Sequence, residues 1–331
     1  MSEEYKYDIS IVIPVYNGEH CILNCLNSIY SIDWGGFTYE VIIVNDCSTD
    51  NTKEVLTNQV SFHKNLTVIH LPVNGKPGTA RNIGIKSSQG RFIMFVDADD
   101  CIEPTVKSVL DYAVKSDIDM CHFGISTQYN MIEQVIPDRV IMDGRDFAEK
   151  FYDMSCDTGY FLSYLYSNRF LNIINHPFVE GRVHEDADWC EYHLWNCHSI
   201  AHINAVVYKN YANSASIMHS LSPQKDADNI MMCYRRFLFT DTIEDNESHF
   251  KSVILSHCKL WVSGVLSLRH LSRYDLKRID AFYSRIEEKA IEYLRELDWV
   301  GFPSICLYHW RFARFIVSFI NPIAAVARRF K

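Results

Sequence analysis

The chain has 331 residues, 48% of them hydrophobic and 13% aromatic, and a formal net charge of −9. That apolar content excludes intrinsic disorder, and the acidic balance excludes nucleic acid as the main partner, because neutralising phosphates needs a basic surface. The length allows one large domain or two modest ones.

Asp8–Val15 is a near-continuous apolar run, as expected of a strand buried on both faces, ended by Pro14 and turned by Tyr16–Gly18. Glu19–Ser31 then carries Cys21, Ile22, Cys25, Leu26 and Ile29 at helical spacing. Val41–Val44 reads as a second buried strand, and the small polar residues Asn45–Asp50 as a turn and N-cap before a helix at Thr52–Val60. A third strand at Leu66–Leu71, a loop at Pro72–Gly78, a helix at Thr79–Ser88 and a strand at Arg91–Val96 continue the alternation. Such alternation predicts an α/β fold with a mostly parallel, doubly wound sheet. Further on, the pattern predicts a helix from Pro104 to Lys115, a strand at Met120–Ile125, an edge strand at Val135–Met142 and a helix at Asp146–Met154. An aromatic-rich segment, Tyr160–Phe170, comes next. A loop at Pro177–Asp186 runs into a helix to Trp195, and a strand at Ile203–Tyr208 closes the sheet. From Ser222 the patterns are long and helical, which places a boundary near Ser220 and divides the chain into 1–220 and 221–331.

The strand at Arg91–Val96 delivers Asp97-Ala98-Asp99 to its carboxyl end, where open α/β sheets bind ligands. Two carboxylates at i and i+2 suit a division of labour, one holding a sugar hydroxyl and the other a hard divalent cation such as Mg²⁺ or Mn²⁺. Alone the pair is a weak signal, since such turns also cap helices. Asp46 could cap the helix after it, Arg81-Asn82 could be an exposed helix turn, and Glu185-Asp186 could be ordinary helix-start acids.

Five segments fall in one order: Ser10–Asn17 (SIVIPVYN), Val44–Asp50 (VNDCSTD), Gly78–Gly84 (GTARNIG), Phe95–Asp100 (FVDADD) and His184–Asp186 (HED). That ordered set resembles the family 2 glycosyltransferases of GT-A fold, over about the first 220 residues. The resemblance implies a Rossmann-like domain that binds a nucleotide-sugar, a UDP-sugar, at the carboxyl ends of its strands. By position, Pro14, Val15 and Tyr16, with Asn17 beside them, would flank the base and ribose. Asp46 would accept the uracil N3–H, and Arg81 would approach the same base or the phosphates. Asp97 would hold the ribose, Ala98 would line the donor, and Asp99 would hold the metal bridging the diphosphate. Asp186 would be the general base of an inverting transfer to a hydroxyl of a glycan or lipid-linked oligosaccharide, with Glu185 beside it orienting a hydroxyl. His219 lies where related enzymes carry a loop closing over the diphosphate, so it is a candidate metal or phosphate contact. Two positions depart from the family: Cys47 replaces a usual Gly, and Tyr208-Lys209-Asn210 replaces a common Tyr-Arg pair. A nucleotidyltransferase, a glycoside hydrolase or a catalytically silent nucleotide-sugar-binding protein are the competing readings. The first lacks its basic, Gly-rich triphosphate loop at Pro14–Gly18.

Eleven cysteines without a C-x-x-C pair, and an N-terminus without a charged-then-apolar leader, predict free thiols in a reducing cytoplasm. Cys190, His193, Cys197, His198 and His202 form a tempting metal cluster, but Cys190, His193 and Cys197 would share one helix face, which reads as a packed helix with ordinary core cysteines rather than a zinc site. From Gly301 onward the chain holds Arg311, Arg314, Arg328, Arg329 and Lys331 and no acid. The basic, aromatic tail at about 303–331 is too short an apolar run to span a bilayer. It suits peripheral contact with anionic lipid at the inner face of the membrane.

Overall fold

The computed structural model describes residues 5–126, 136–152, 161–211, 223–244, 248–255 and 258. The chain divides into two compact units, residues 1–219 with 247–250, and residues 220–246 with 251–331. In chain order the first unit contains β1 (Tyr7–Val15), α1 (Ile22–Tyr30), β2 (Tyr39–Asn45), α2 (Thr52–Val60), β3 (Leu66–His70), α3 (Lys76–Ser87), β4 (Gly90–Phe95) and β5 (Cys101–Ile102). It continues with α4 (Val106–Ser116), β6 (Met120–Ile125), α5 (Gly144–Tyr152), β7 (Tyr164–Ser167), α6 (Asn168–Ile174), α7 (Glu185–Trp195) and β8 (Ile200–Lys209). The second unit contains α8 (Pro223–Thr240), on which Met232, Cys233 and Phe239 are buried. Among the described residues no helix is long and apolar enough to cross a membrane.

The sheet has eight strands in the order β3-β2-β1-β4-β7-β6-β8-β5. β1 pairs parallel with both β2 and β4, and β2 pairs parallel with β3, so the predicted parallel half is present. The strand order reverses between β1 and β4, which is where an open α/β sheet opens a ligand crevice. The aromatic segment Tyr160–Phe170 supplies what its composition did not announce: a short 3₁₀ turn at Phe161–Ser163, then β7, which runs antiparallel to both β4 and β6. β8 pairs parallel with β6 and antiparallel with the two-residue β5.

Three expectations shift. Pro14 does not end β1; it stands opposite Val44, and β1 continues to Val15. The last β1–β4 pair is Val12 with Phe95, so the N–H that Pro14 lacks is missing where β4 has already turned away. α3 starts at Lys76 because Pro77 suits a first helical turn. The Val135–Met142 edge strand reduces to two isolated bridges, Asp138 with His202 and Met142 with Ile200, with residue 135 outside the described residues.

Burial explains the register. Ile9, Ile11, Val12, Ile13, Ile43 and Val44 are fully buried, so β1 and β2 are covered on both faces. α3 lies close on β1 because a Cβ on Gly84 would come within 2.2 Å of Val12 Cγ1. Of the cysteine and histidine cluster between Cys190 and His202, all but the exposed His198 serve packing. Cys190 and Cys197 are buried, His193 Nδ1 lies 2.7 Å from the Trp189 carbonyl one turn back, and His202 Nδ1 lies 2.8 Å from His122 Nδ1.

His193 gives a pH test. Burial holds it at about 3, below the ordinary 6.5, so the folded state keeps it neutral. Its contribution is complete above pH 6.5 and is lost as pH falls, because the unfolded chain binds the proton first. Between pH 7 and pH 5 the unfolding free energy of His193→Phe should fall about 2 kcal/mol less than that of the wild type. Denaturant titrations at the two pH values check it; parallel losses would contradict it.

Candidate active site

The carboxyl ends of β1, β2 and β4 meet at one edge. After β1, Asn17 takes a left-handed backbone (φ 53°), and its Oδ1 accepts the Thr49 N–H at 2.8 Å. The Gly18 N–H donates to Thr52 Oγ1 at 2.8 Å, which ties the β1 turn to the start of α2. Cys47, at the family's usual glycine, has φ 58°, so a left-handed turn is the reason glycine suits that place. Asp46 is buried and does not cap α2; its Oδ1 accepts the Gly75 N–H at 2.6 Å, fixing the loop before α3. Pro14 and Val15 are buried and Tyr16 is exposed, lining this edge beside the β4 turn. Ala98 is half-buried there, with its Cβ 3.9 Å from where a Cβ on Gly18 would stand.

At the centre stands Arg81. Its position on α3 looks from sequence like a surface turn or a base contact, yet its side chain is only 6% exposed. One terminal nitrogen donates to Asp97 Oδ1 at 3.0 Å and the other to Glu185 Oε1. Its guanidinium carbon lies 4.4 Å from the centre of the Phe161 ring. Phe161, Tyr166, Phe178 and Trp189 surround Phe95 with ring centres 5.6–5.8 Å away. This aromatic floor excludes water from one side of the arginine and strengthens its attraction to both carboxylates. Each terminal nitrogen thus holds one carboxylate.

Arg81 thereby joins two acidic clusters that are 88 positions apart, Asp97 to Glu185. Glu185 opens α7 and is 2% exposed, whereas Asp186 beside it is half-buried. Burial raises the Glu185 carboxyl, Arg81 opposes the rise and Asp186 adds to it. Burial likewise raises Asp97 against the pull of Arg81, and the charges of Asp99 and Asp186 push it further. Asp99 and Asp186 therefore both lie near enough to Asp97 for their charges to reach it. His219 lies outside the described residues.

Asn82, next on α3, clamps the chain leading to α7. Its Nδ2 donates to the Phe178 carbonyl and its Oδ1 accepts the Phe178 N–H, both at 2.9 Å. A Cβ on Gly78 would stand 2.5 Å from the Val179 carbonyl and 3.0 Å from Glu185 Cγ, so the same helix packs tightly on that loop.

Residues 10–165 match the model of glycosyl transferase family 2. The chain carries a family 2 glycosyltransferase domain. Over 95 residues the chain is 45% identical to the poly(ribitol-phosphate) beta-glucosyltransferase of Bacillus spizizenii, an alignment covering 28% of this chain and 15% of that protein. Over 144 residues it is 31% identical to the poly(ribitol-phosphate) beta-N-acetylglucosaminyltransferase TarS of Staphylococcus aureus, covering 41% of this chain and 25% of TarS. The alignments thus span less than two thirds of these curated relatives. The structure of S. aureus TarS 1-349 in complex with UDP-GlcNAc superposes with a TM-score of 0.57 at 19% identity, covering 78% of this chain and 71% of that one. A mannosyltransferase of Pyrobaculum calidifontis in complex with GDP-Man and Mn²⁺ gives 0.54 at 14% identity, covering 98% and 87%. These likenesses establish the GT-A fold of the glycosyltransferase domain.

Two residues that pack against Arg81 were invisible in the sequence. Phe161 and Phe178 carry no motif, and only the density of aromatics around 160–180 hinted at a packed platform. Replacing Arg81 with Met should cost about 3–5 kcal/mol, because buried Glu185 and part-buried Asp97 would lose their cation. The double variant Arg81→Met/Glu185→Leu should recover part of that loss in denaturant titrations. A single variant as stable as the wild type would contradict the assigned role.

Proposed function

We propose that the chain is a metal-dependent, inverting glycosyltransferase that moves a sugar from a UDP-sugar to a hydroxyl of a glycan or lipid-linked oligosaccharide. The observation that carries the reading is the Arg81 bridge, which puts a donor-side carboxylate, Asp97, and the start of α7, Glu185-Asp186, at one place. Family membership and the nucleotide-sugar complexes of the structural neighbours support the donor class.

In this reading the uracil lies between the Pro14–Asn17 turn and Asp46. The loop bond from Gly75 aims the Asp46 carboxylate, whose second oxygen accepts N3–H. Asp97, steadied by Arg81, takes the ribose hydroxyl. Asp97 and Glu185 share Arg81, and Asp99 and Asp186 add carboxylates whose charges reach Asp97, so the place is rich in hard oxygen donors. That chemistry fits Mg²⁺ or Mn²⁺ held by Asp99 together with substrate phosphates. When bound, such an ion offsets the charge that gathers on the departing diphosphate.

An acceptor hydroxyl is a poor nucleophile and must lose its proton as the new bond forms. Glu185 is bonded to Arg81 behind the surface, and half-buried Asp186 is next to it at the first turn of α7. This is a physical ground for choosing Asp186 as base, where the sequence offers position alone. A single base acting on the face opposite the leaving group inverts the anomeric centre. The reading includes a cytoplasmic location, with the tail at 303–331 touching anionic lipid at the inner membrane face.

A panel of nucleotide-sugars assayed for diphosphate release with and without Mn²⁺ tests the donor. A UDP-sugar should give metal-dependent release that Asp99→Ala abolishes while the fold persists. Asp186→Asn should bind UDP normally and lose about 10²–10⁴-fold in transfer, the usual worth of a general base. Full transfer by that variant would require another base.

A further inference from the structure

Three acids, Asp97, Asp99 and Asp100, crowd the turn after β4. The turn closes on itself, with the Asp100 N–H donating to the Asp97 carbonyl at 3.1 Å. That bond alone leaves open which carboxylate faces a ligand. Asp99 is half-buried, but Asp100 is turned inward and only 3% exposed. The cause of that inward turn lies 108 residues away.

Tyr208, at the end of β8, is fully buried. Its hydroxyl donates to Asp100 Oδ2 at 2.7 Å and accepts the Asp97 N–H at 3.0 Å, so one oxygen spans the turn. The Tyr211 N–H completes the grip on Asp100 Oδ1 at 2.9 Å. Pairing holds the tyrosine's own backbone: Ile102 stands opposite Tyr208, Cys101 opposite Lys209, and the Glu103 N–H donates to the Val207 carbonyl at 2.7 Å. Lys209, where the family commonly places an arginine, is ion-paired with Glu103. Within this segment, the tyrosine hydroxyl reaches the acidic turn and the lysine does not.

We propose that Tyr208 is a positioning residue of the donor site: its hydroxyl holds Asp100 inward and the Asp97 amide in place, so that Asp99 is the carboxylate presented to the cation and diphosphate. The inference rests on the donor reading given above. Without the hydroxyl, a buried N–H loses its acceptor and Asp100 loses its donor. Asp100 then gains freedom to swing outward and compete with Asp99 for the ion, and the turn loses its single preferred shape. Tyr208 itself touches neither substrate nor ion.

The test uses the full chain and titrates Mn²⁺ with UDP by calorimetry, without turnover. Tyr208→Phe keeps the ring and removes one oxygen; it should weaken Mn²⁺·UDP binding about tenfold, the worth of one buried hydrogen bond at the upper end. Asp100→Asn, which keeps one acceptor oxygen, should weaken it by less. Ser10→Ala is the structural control. It removes a buried hydroxyl that lies 2.6 Å from Glu40 Oε1 and accepts the Gly90 N–H at 2.8 Å, far along β1 from the turn. It should lower thermal stability while leaving the affinity within twofold. Wild-type affinity in Tyr208→Phe, or equal weakening in Ser10→Ala, would overturn the positioning role and leave the donor reading standing. No Mn²⁺·UDP binding by the wild type would instead remove the donor reading and this inference with it.

Discussion

A guanidinium cannot be buried alone. Stripping its hydration costs several kcal/mol unless carboxylates replace the lost water at close range. Arg81, 6% exposed, meets that requirement with Asp97 from the end of β4 and Glu185 from the start of α7. The consequence is geometric. Two chain segments that share no sheet pairing must stay within reach of one side chain, so an ion-pair triad fixes their separation together with the loop contacts of Asn82 and Gly78. Such triads are weak evidence for net stability and stronger evidence for a specified arrangement.

The fold supplies the remaining constraints. Reversal of strand order between β1 and β4 leaves a crevice at their carboxyl ends, and the aromatic floor around Phe95 backs it. α3 serves both sides: Arg81 reaches the acids, while Asn82 and Gly78 fasten the chain that leads into α7. One helix therefore sets the spacing between the proposed donor and acceptor walls. Tyr208 performs a comparable task from the far side of the sheet, reaching the acidic turn from β8. Both arrangements use groups remote in sequence to aim groups close to the proposed chemistry.

The parallel half was legible because its strands are buried on both faces and its helices carry clear spacing, so each local pattern had one interpretation. Helix α2 and strand β6 have the bounds that their patterns predict. The turn acids were legible as a pattern but not as individuals. Family position alone separates Asp97 from Asp99 in the sequence, whereas in the fold Arg81 holds Asp97, and Tyr208 with the Tyr211 N–H holds Asp100. β7 was hidden because four consecutive buried residues between a 3₁₀ turn and a helix show no alternation. The family resemblance gives Arg81 a base or phosphate contact but not its bond to Glu185, because nothing local announces a counter-charge 104 positions away. Gly78 and Asn82 show in the sequence only as parts of a motif, whereas in the fold they make close contact with a loop that is distant in sequence. Long-range pairing is the common reason for each omission.

The most direct test of the shared cleft is a crystal structure of the chain with UDP and Mn²⁺. The account predicts density for the ion on Asp99, the uracil beside Asp46, and Arg81 still bonded to both Asp97 and Glu185, with Asp186 facing the outer side of the diphosphate. A nucleotide bound away from the β1–β4 edge, or Arg81 released from Glu185 to grip the phosphates, would contradict it.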